Sequence, residues 1–226
     1  METRDQSAGG CGSGSQPSKH LERLLHAVPG LAGCARRIRA RSAQGRRRRL
    51  LKALPKHSVG AEIGVHLGDF SRDILRVVRP AKLHLIDPWE HEAGDTYGGA
   101  WYGGRAKRGQ ATMDERFRTV TRRFAAEIGS GRVVVHRAHA HGLADAFEDG
   151  YFDWVYIDGN HLYEYVKLDL QRYDPKVKSN GLITGDDYGL EGWWDNGVQR
   201  AVDEFVEQRT SLSLTTMGSQ FLIRKP

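Results

Sequence analysis

Residues 59–78 read VGAEIGVHLGDFSRDILRVV. The first seven, Val59–Val65, form a short apolar run that closes on glycine, the pattern of a buried strand. Phe70, Ile74, Val77 and Val78 then recur at i, i+4, i+7 and i+8, one face of a helix. Pro80 ends that helix. A second strand follows at Leu83, Leu85 and Ile86 and stops at Asp87-Pro88. One strand, one glycine turn, one helix and a second strand make the repeating unit of an α/β sheet.

The alternation continues outward. Met113, Phe117, Val120 and Phe124 give a helical stripe, Val133–Val135 a third strand, and Leu143–Phe147 a short helix. A fourth strand at Phe152–Ile157 leads into a helix over residues 162–173. Asn180-Gly181 turns the chain into a fifth strand, Leu182–Thr184, and Val198–Val206 is helical. Leu212/Leu214 and Phe221–Ile223 have no helix between them, so they are expected to pair as an antiparallel hairpin. The expected fold is α/β: a doubly wound, mostly parallel seven-stranded sheet with a C-terminal antiparallel hairpin.

In open sheets of this kind ligands bind beyond the carboxyl ends of the strands. After the first strand, Glu62-Ile63-Gly64-Val65-His66-Leu67-Gly68 carries two glycines that permit a tight turn and close approach to a ligand. Its G-x-x-x-G spacing excludes the dinucleotide G-x-G-x-x-G motif, and no Walker lysine follows. Asp87 after the second strand is placed to accept ribose hydroxyls; an ordinary turn-forming Asp before proline is the alternative. Asp158 ends the fourth strand, and Asp186 and Asp187 follow the fifth. Three converging carboxylates repel unless a cation neutralises them, and all-oxygen ligands suit Mg²⁺ or Mn²⁺. His161 stands near a helix N-terminus, where the dipole favours neutral imidazole, and is a candidate general base. His139 and His141 follow the third strand. Residues 89–110, rich in Gly, Trp and Tyr, form a long loop of the kind that serves as a lid.

Charge is unevenly placed. Residues 1–56 carry a net +10 and residues 57–226 a net −4. Three segments are expected: a Gly/Ser-rich flexible tail (1–18), a basic, partly helical arm (19–56) and a catalytic domain (57–226). Leu21, Leu24, Leu25 and Val28 mark a short helix in the arm, and Arg36–Arg41 and Arg46–Arg49 its cationic stretch. No apolar run reaches the roughly 18 residues of a membrane span. Cys11 and Cys34 provide no disulfide framework, and no signal-peptide pattern opens the chain, so the expected location is cytoplasmic.

On these residues, 57–226 resembles a class I S-adenosylmethionine-dependent methyltransferase. The stretches YFDWVYIDGNHLYEYVKLDL (151–170) and GLITGDDY (181–188) resemble the metal-dependent small-molecule O-methyltransferases, including the sugar O-methyltransferases of macrolide and aminocoumarin biosynthesis. The resemblance implies a role for each position. Gly64 and Gly68 would pass along the methionine part of S-adenosylmethionine, with Glu62 near its amino group. Asp87 would bind the ribose, and His139 and Ala140 would border the adenine. Asp158, Asp186 and Asp187 would be the ligands of Mg²⁺ or Mn²⁺, and their spacing fits. His161 matches the base position of part of the family; another part places an Asp where this chain has Asn160. The large N-terminal auxiliary domain of the macrolide enzymes has no counterpart here. The expected activity is metal-assisted O-methylation of a small hydroxylated acceptor. Metal-independent methylation of a small molecule or of RNA, and a non-catalytic cofactor-binding module, stand as alternatives; DNA-base methylation is disfavoured by the missing N/D-P-P-Y/F/W motif.

Overall fold

The computed structural model describes residues 45–226. The expected tail, the Leu21–Val28 helix and Arg36–Arg41 lie outside the described residues. Residues 45–53 form helix α1. The elements that follow are β1 (Val59–Ile63), α2 (Asp69–Val77), β2 (Lys82–Asp87), α3 (Gln110–Arg123), α4 (Ala125–Gly129), β3 (Val133–Arg137), α5 (Ala140–Leu143), β4 (Phe152–Ile157), α6 (Tyr163–Tyr173), β5 (Val177–Gly185), α7 (Gly197–Glu207), β6 (Ser213–Met217) and β7 (Gln220–Arg224).

The seven strands lie in the order β3-β2-β1-β4-β5-β7-β6. β1 to β5 run parallel, and β7 pairs antiparallel with both β5 and β6, which is the expected doubly wound sheet with its hairpin. The chain winds outward from β1 through β2 and β3, then returns to place β4 on the other side. That reversal opens a crevice at the carboxyl ends of β1 and β4.

Side chains alternate across the sheet with period two. In β4, Val155 and Ile157 join one apolar cluster with Val166 and Leu170 of α6 and Val202 and Phe205 of α7. Trp154 and Tyr156 point into the other, with Ile74 of α2 and Met113 and Val120 of α3. Leu50, Leu51 and Leu54, at one end of the described chain, are fully buried in that second cluster. Each such leucine contributes about 1.5–3 kcal/mol relative to exposure, so α1 is fastened to the sheet by its own apolar face.

Several boundaries differ from the expectation; the short helix expected at Leu143–Phe147 begins instead at Ala140 and runs to Leu143, with a 3-10 turn over Ala144–Ala146 after it. β1 stops at Ile63, because Gly64 (φ +87°) turns the chain before Val65 and His66. β5 begins at Val177, earlier than the Asn180-Gly181 turn. Its register with β4 shifts between Phe152 and Trp154, so the left-handed Asn180 (φ 61°) sits in a bulge inside one strand.

Candidate active site

Strand register brings the key residues to one edge. Ile63 is level with Ile86 of β2 and with Ile157 of β4, and Ile157 is level with Gly185 of β5. One residue further along, Asp87, Gly64, Asp158 and Asp186 therefore stand side by side across four strands. Gly64, Asp87 and Asp158 border a cavity of about 640 Å³, lined also by Glu62, His139, Ala140, His161 and Asp187; Asp186 is not part of that lining.

Gly64 cannot be another residue without movement. A Cβ there would lie 2.0 Å from the Asp158 carbonyl oxygen, on a backbone with positive φ. At Gly68 (φ +76°) a Cβ would lie 2.7 Å from the Phe124 ring. Glu62, two residues before Gly64, also lines the cavity. It is 1% exposed, its Oε2 has no hydrogen-bond partner, and burial holds its proton well above the usual carboxylate range. A buried unpartnered oxygen at a cavity wall is a costly arrangement that a donor from a ligand would complete.

Asp87 is buried and occupied. Its Oδ2 accepts from the backbone N–H of Val65 (2.8 Å) and His66 (3.0 Å) and from the Tyr102 hydroxyl; its Oδ1 accepts from Trp89 N–H (2.7 Å). Burial raises its pKa, and these donors oppose the rise. Asp87 thus ties the β1 turn to the long loop that follows β2. That loop lines the cavity, and Tyr97 anchors it across the site by accepting from Asn160 Nδ2 (3.0 Å) and packing on Trp193, ring centres 5.2 Å apart. Asn160 Oδ1 in turn accepts from Leu162 N–H and starts α6. His139, half-exposed, meets Glu90 at 2.9 Å; Ala140 is buried, and its carbonyl accepts from Tyr173.

At the other end, Asp158, His161 and Asp187 each offer a ligand atom, all within 4.8 Å of one another. His161 Nε2 lies 3.3 Å from Asp187 Oδ2 and 3.6 Å from Asp158 Oδ1. Its ring stacks near Trp193 and meets Trp194 edge-on, centres 4.9 Å apart. Burial pulls the imidazolium pKa down, but Asp158, Asp187 and Asp186 outweigh burial and raise it. The neutral imidazole expected from the helix dipole is therefore opposed by nearer carboxylates. Asp187, in the left-handed region at φ 61°, has its carboxyl pushed up to about 6 by burial and by Asp158.

Asp186 is placed differently from its two companions. It is 6% exposed, and Oδ1 accepts from its neighbour's N–H (Asp187, 2.8 Å), Ser219 Oγ (2.7 Å) and Gln220 Nε2. Its Oδ2 accepts from Arg47, through Nε at 2.6 Å and through Nη2; that same Nη2 reaches Asp158 Oδ2 at 2.9 Å. The guanidinium sits over the Phe70 ring at 5.1 Å. Sequence reasoning placed Arg47 only in the cationic stretch and Tyr102 only in the aromatic-rich loop, and missed the contacts that both make in the site. For Arg47 a signal existed: it stands at i, with Leu50, Leu51 and Leu54 at i+3, i+4 and i+7, on the apolar face and not the solvent face of α1.

Comparison with known proteins identifies the domain and its fold. A family model described as a methyltransferase domain matches residues 61–188, more than half of the chain. No curated protein is matched by the sequence. Among solved structures, the O-methyltransferase NovP superposes with a TM-score of 0.57 at 20% identity, over 81% of this chain and 79% of that one. A Staphylococcus aureus protein described as a caffeoyl-CoA O-methyltransferase gives 0.54 at 14% identity, covering 92% and 98%. A Clostridium thermocellum protein described as an rRNA methylase gives 0.56 at 12%, covering 81% and 96%. At these identities the likeness establishes the fold.

Proposed function

The chain belongs to the methyltransferase domain family, and on that basis we propose that it transfers a methyl group from S-adenosylmethionine to a hydroxyl of a small acceptor, a sugar, vicinal diol or phenol, assisted by a divalent cation. One observation carries the reading: the Glu62 carboxyl, with its unpartnered Oε2, and the Asp158–His161–Asp187 group line the same cavity.

The residues present fit the cofactor. Glu62 offers a buried acceptor for an ammonium group, and Gly64 leaves the backbone free of a side chain beside it. Asp87 is placed for ribose hydroxyls, with the Tyr102 hydroxyl now in the place one of them would take. His139 and Ala140 border the far side, next to β3. The carboxylates fit a hard cation: Asp158 and Asp187 would hold Mg²⁺ or Mn²⁺, with Asp186 joining them through the oxygen that now faces Arg47. Such an ion lowers the proton affinity of an acceptor hydroxyl as a Lewis acid and orients neighbouring oxygens.

The protein's own part is alignment and proton removal. In the transfer the carbon–sulfur bond breaks as the oxygen–methyl bond forms, in line, leaving a thioether and a methyl ether. His161 Nε2 is the group placed to take the hydroxyl proton; a cation sharing the charge of Asp158 and Asp187 would weaken their hold on the imidazolium proton and leave the ring neutral and able to accept one. Tyr97, Trp193 and Trp194 give flat faces on which a sugar or phenol ring packs, and the loop after β2 excludes water. A second reading, metal-independent transfer, is favoured by the Arg47 contact, because a guanidinium already offsets part of the carboxylate charge.

The test is transfer of label from methyl-labelled S-adenosylmethionine to a panel of catechols and sugars with vicinal hydroxyls, in Mg²⁺ and in EDTA. Transfer that EDTA abolishes supports the reading; transfer untouched by EDTA selects the metal-independent one.

A further inference from the structure

Three acidic side chains meet at the ends of β4 and β5, and the cation that touches two of them, Asp158 and Asp186, belongs to the chain itself. α1 is held by Leu50, Leu51 and Leu54, each at most 3% exposed, so the backbone that carries Arg47 is fixed over the site. The Arg47 side chain, by contrast, keeps 34% of its surface exposed. Its partners do not: Asp186 is 6% exposed and is gripped at Oδ1 by Ser219, Gln220 and the Asp187 N–H. Oδ2 is the Asp186 oxygen left to face another ligand, and Arg47 holds it.

We infer that Arg47 is a chain-borne cation that competes with the divalent ion for Asp158 and Asp186, and so sets how tightly that ion is held. The inference rests on the metal-assisted reading above. Its basis is electrostatic and steric. Carboxylates crowded at a buried edge need positive charge, and truncating one partner of a buried pair leaves the other uncompensated. Arg47 supplies that charge without an ion, in a forked contact that keeps Asp158 and Asp186 apart at a fixed spacing. An ion bound through Asp186 Oδ2 must first displace the fork, and Asp158 Oδ2 is released with it. The free energy of that displacement is subtracted from ion binding. Arg47 is thus a positioning residue: it holds the ligand carboxylates in register without an ion and raises the ion concentration needed to engage them.

The test measures Mn²⁺ affinity directly, by calorimetry and by the electron paramagnetic resonance signal of free Mn²⁺, on the full chain with S-adenosylhomocysteine present. Wild type, Arg47→Gln and Arg47→Lys are compared, with thermal melting to verify folding. Arg47→Gln is expected to bind Mn²⁺ about tenfold more tightly, a change of about 1.4 kcal/mol. Arg47→Lys, which keeps the charge and loses the fork, is expected to fall between. Unchanged or weaker binding in folded Arg47→Gln would overturn the inference and make the contact an ordinary structural ion pair. Should Arg47→Gln not fold, unchanged binding in Arg47→Lys overturns it equally. Mn²⁺ binding to none of the three proteins would overturn the metal-assisted reading and the inference together.

Discussion

The Tyr102 hydroxyl donates to the Asp87 carboxylate, joining the long loop to the strand end where a ribose would bind. The contact makes loop and ligand rivals for one oxygen. Tyr102→Phe removes the rival and leaves Asp87 buried with one donor fewer. The variant is expected to melt below wild type, by about 1.5–3 kcal/mol of lost charged hydrogen bond, and to bind S-adenosylhomocysteine more tightly by calorimetry. Weaker binding would mean that the hydroxyl belongs to the bound state.

Gly64→Ala tests the turn beside the cofactor. A Cβ 2.0 Å from the Asp158 carbonyl oxygen forces β1 and β4 apart where both reach the cavity. Loss of at least about 2 kcal/mol of stability is expected from overpacking and positive φ together, with S-adenosylhomocysteine affinity falling as well. A variant with wild-type melting and affinity would be incompatible with the geometry.

His161→Gln keeps a polar side chain of similar reach and removes the base. Turnover is expected to fall about 10²–10⁴-fold, with S-adenosylhomocysteine affinity unchanged. Asp158 and Asp187 raise the imidazole pKa while no cation shares their charge, so the wild-type rate is expected to climb with pH as the ring loses its proton, and to do so at lower pH when Mg²⁺ is bound. A flat pH profile in wild type, or equal loss of binding and turnover in the variant, would remove His161 from this role.

Asp169 of α6 lines the cavity, is 5% exposed and has an unpartnered Oδ1; burial pushes its carboxyl up to about 7. The folded chain therefore keeps this proton from the ordinary carboxylate range up to about pH 7, while the unfolded chain has lost it. Stability attributable to Asp169 falls as pH rises across that window and levels off above it. Asp169→Asn is expected to match wild type near pH 4 and to melt higher at pH 8. A gap between the two proteins that does not change with pH would sink the assignment.

Much of the fold and site was legible because strand register is a counting problem. Each strand's apolar run ends next to the residue that faces the crevice, so Gly64, Asp87, Asp158 and Asp186 could be named before their neighbours were known. The hairpin followed from the missing helix before β7. What escaped had no local signature. The bulge at Asn180 looks like a turn because left-handed residues serve both. The Tyr102–Asp87 contact depends on how a long loop folds back. Arg47 was hidden among four consecutive arginines, and only its phase with Leu50, Leu51 and Leu54 separates it from its exposed neighbours Arg48 and Arg49. At His161 three carboxylates oppose the helix end, a contest that no local pattern around the residue announces.

The cavity between the Glu62–Gly64 turn and the Asp158–His161–Asp187 group is the proposed seat of S-adenosylmethionine, and every role assigned above depends on it. The decisive quantity is the thermal midpoint of the full chain with and without S-adenosylhomocysteine, each in Mg²⁺ and in EDTA, since a ligand of the native state raises it by mass action. A concentration-dependent rise with S-adenosylhomocysteine is expected, diminished in Glu62→Gln, with a further rise in Mg²⁺. A midpoint that stays unmoved at concentrations well above micromolar would remove the cofactor from this cavity.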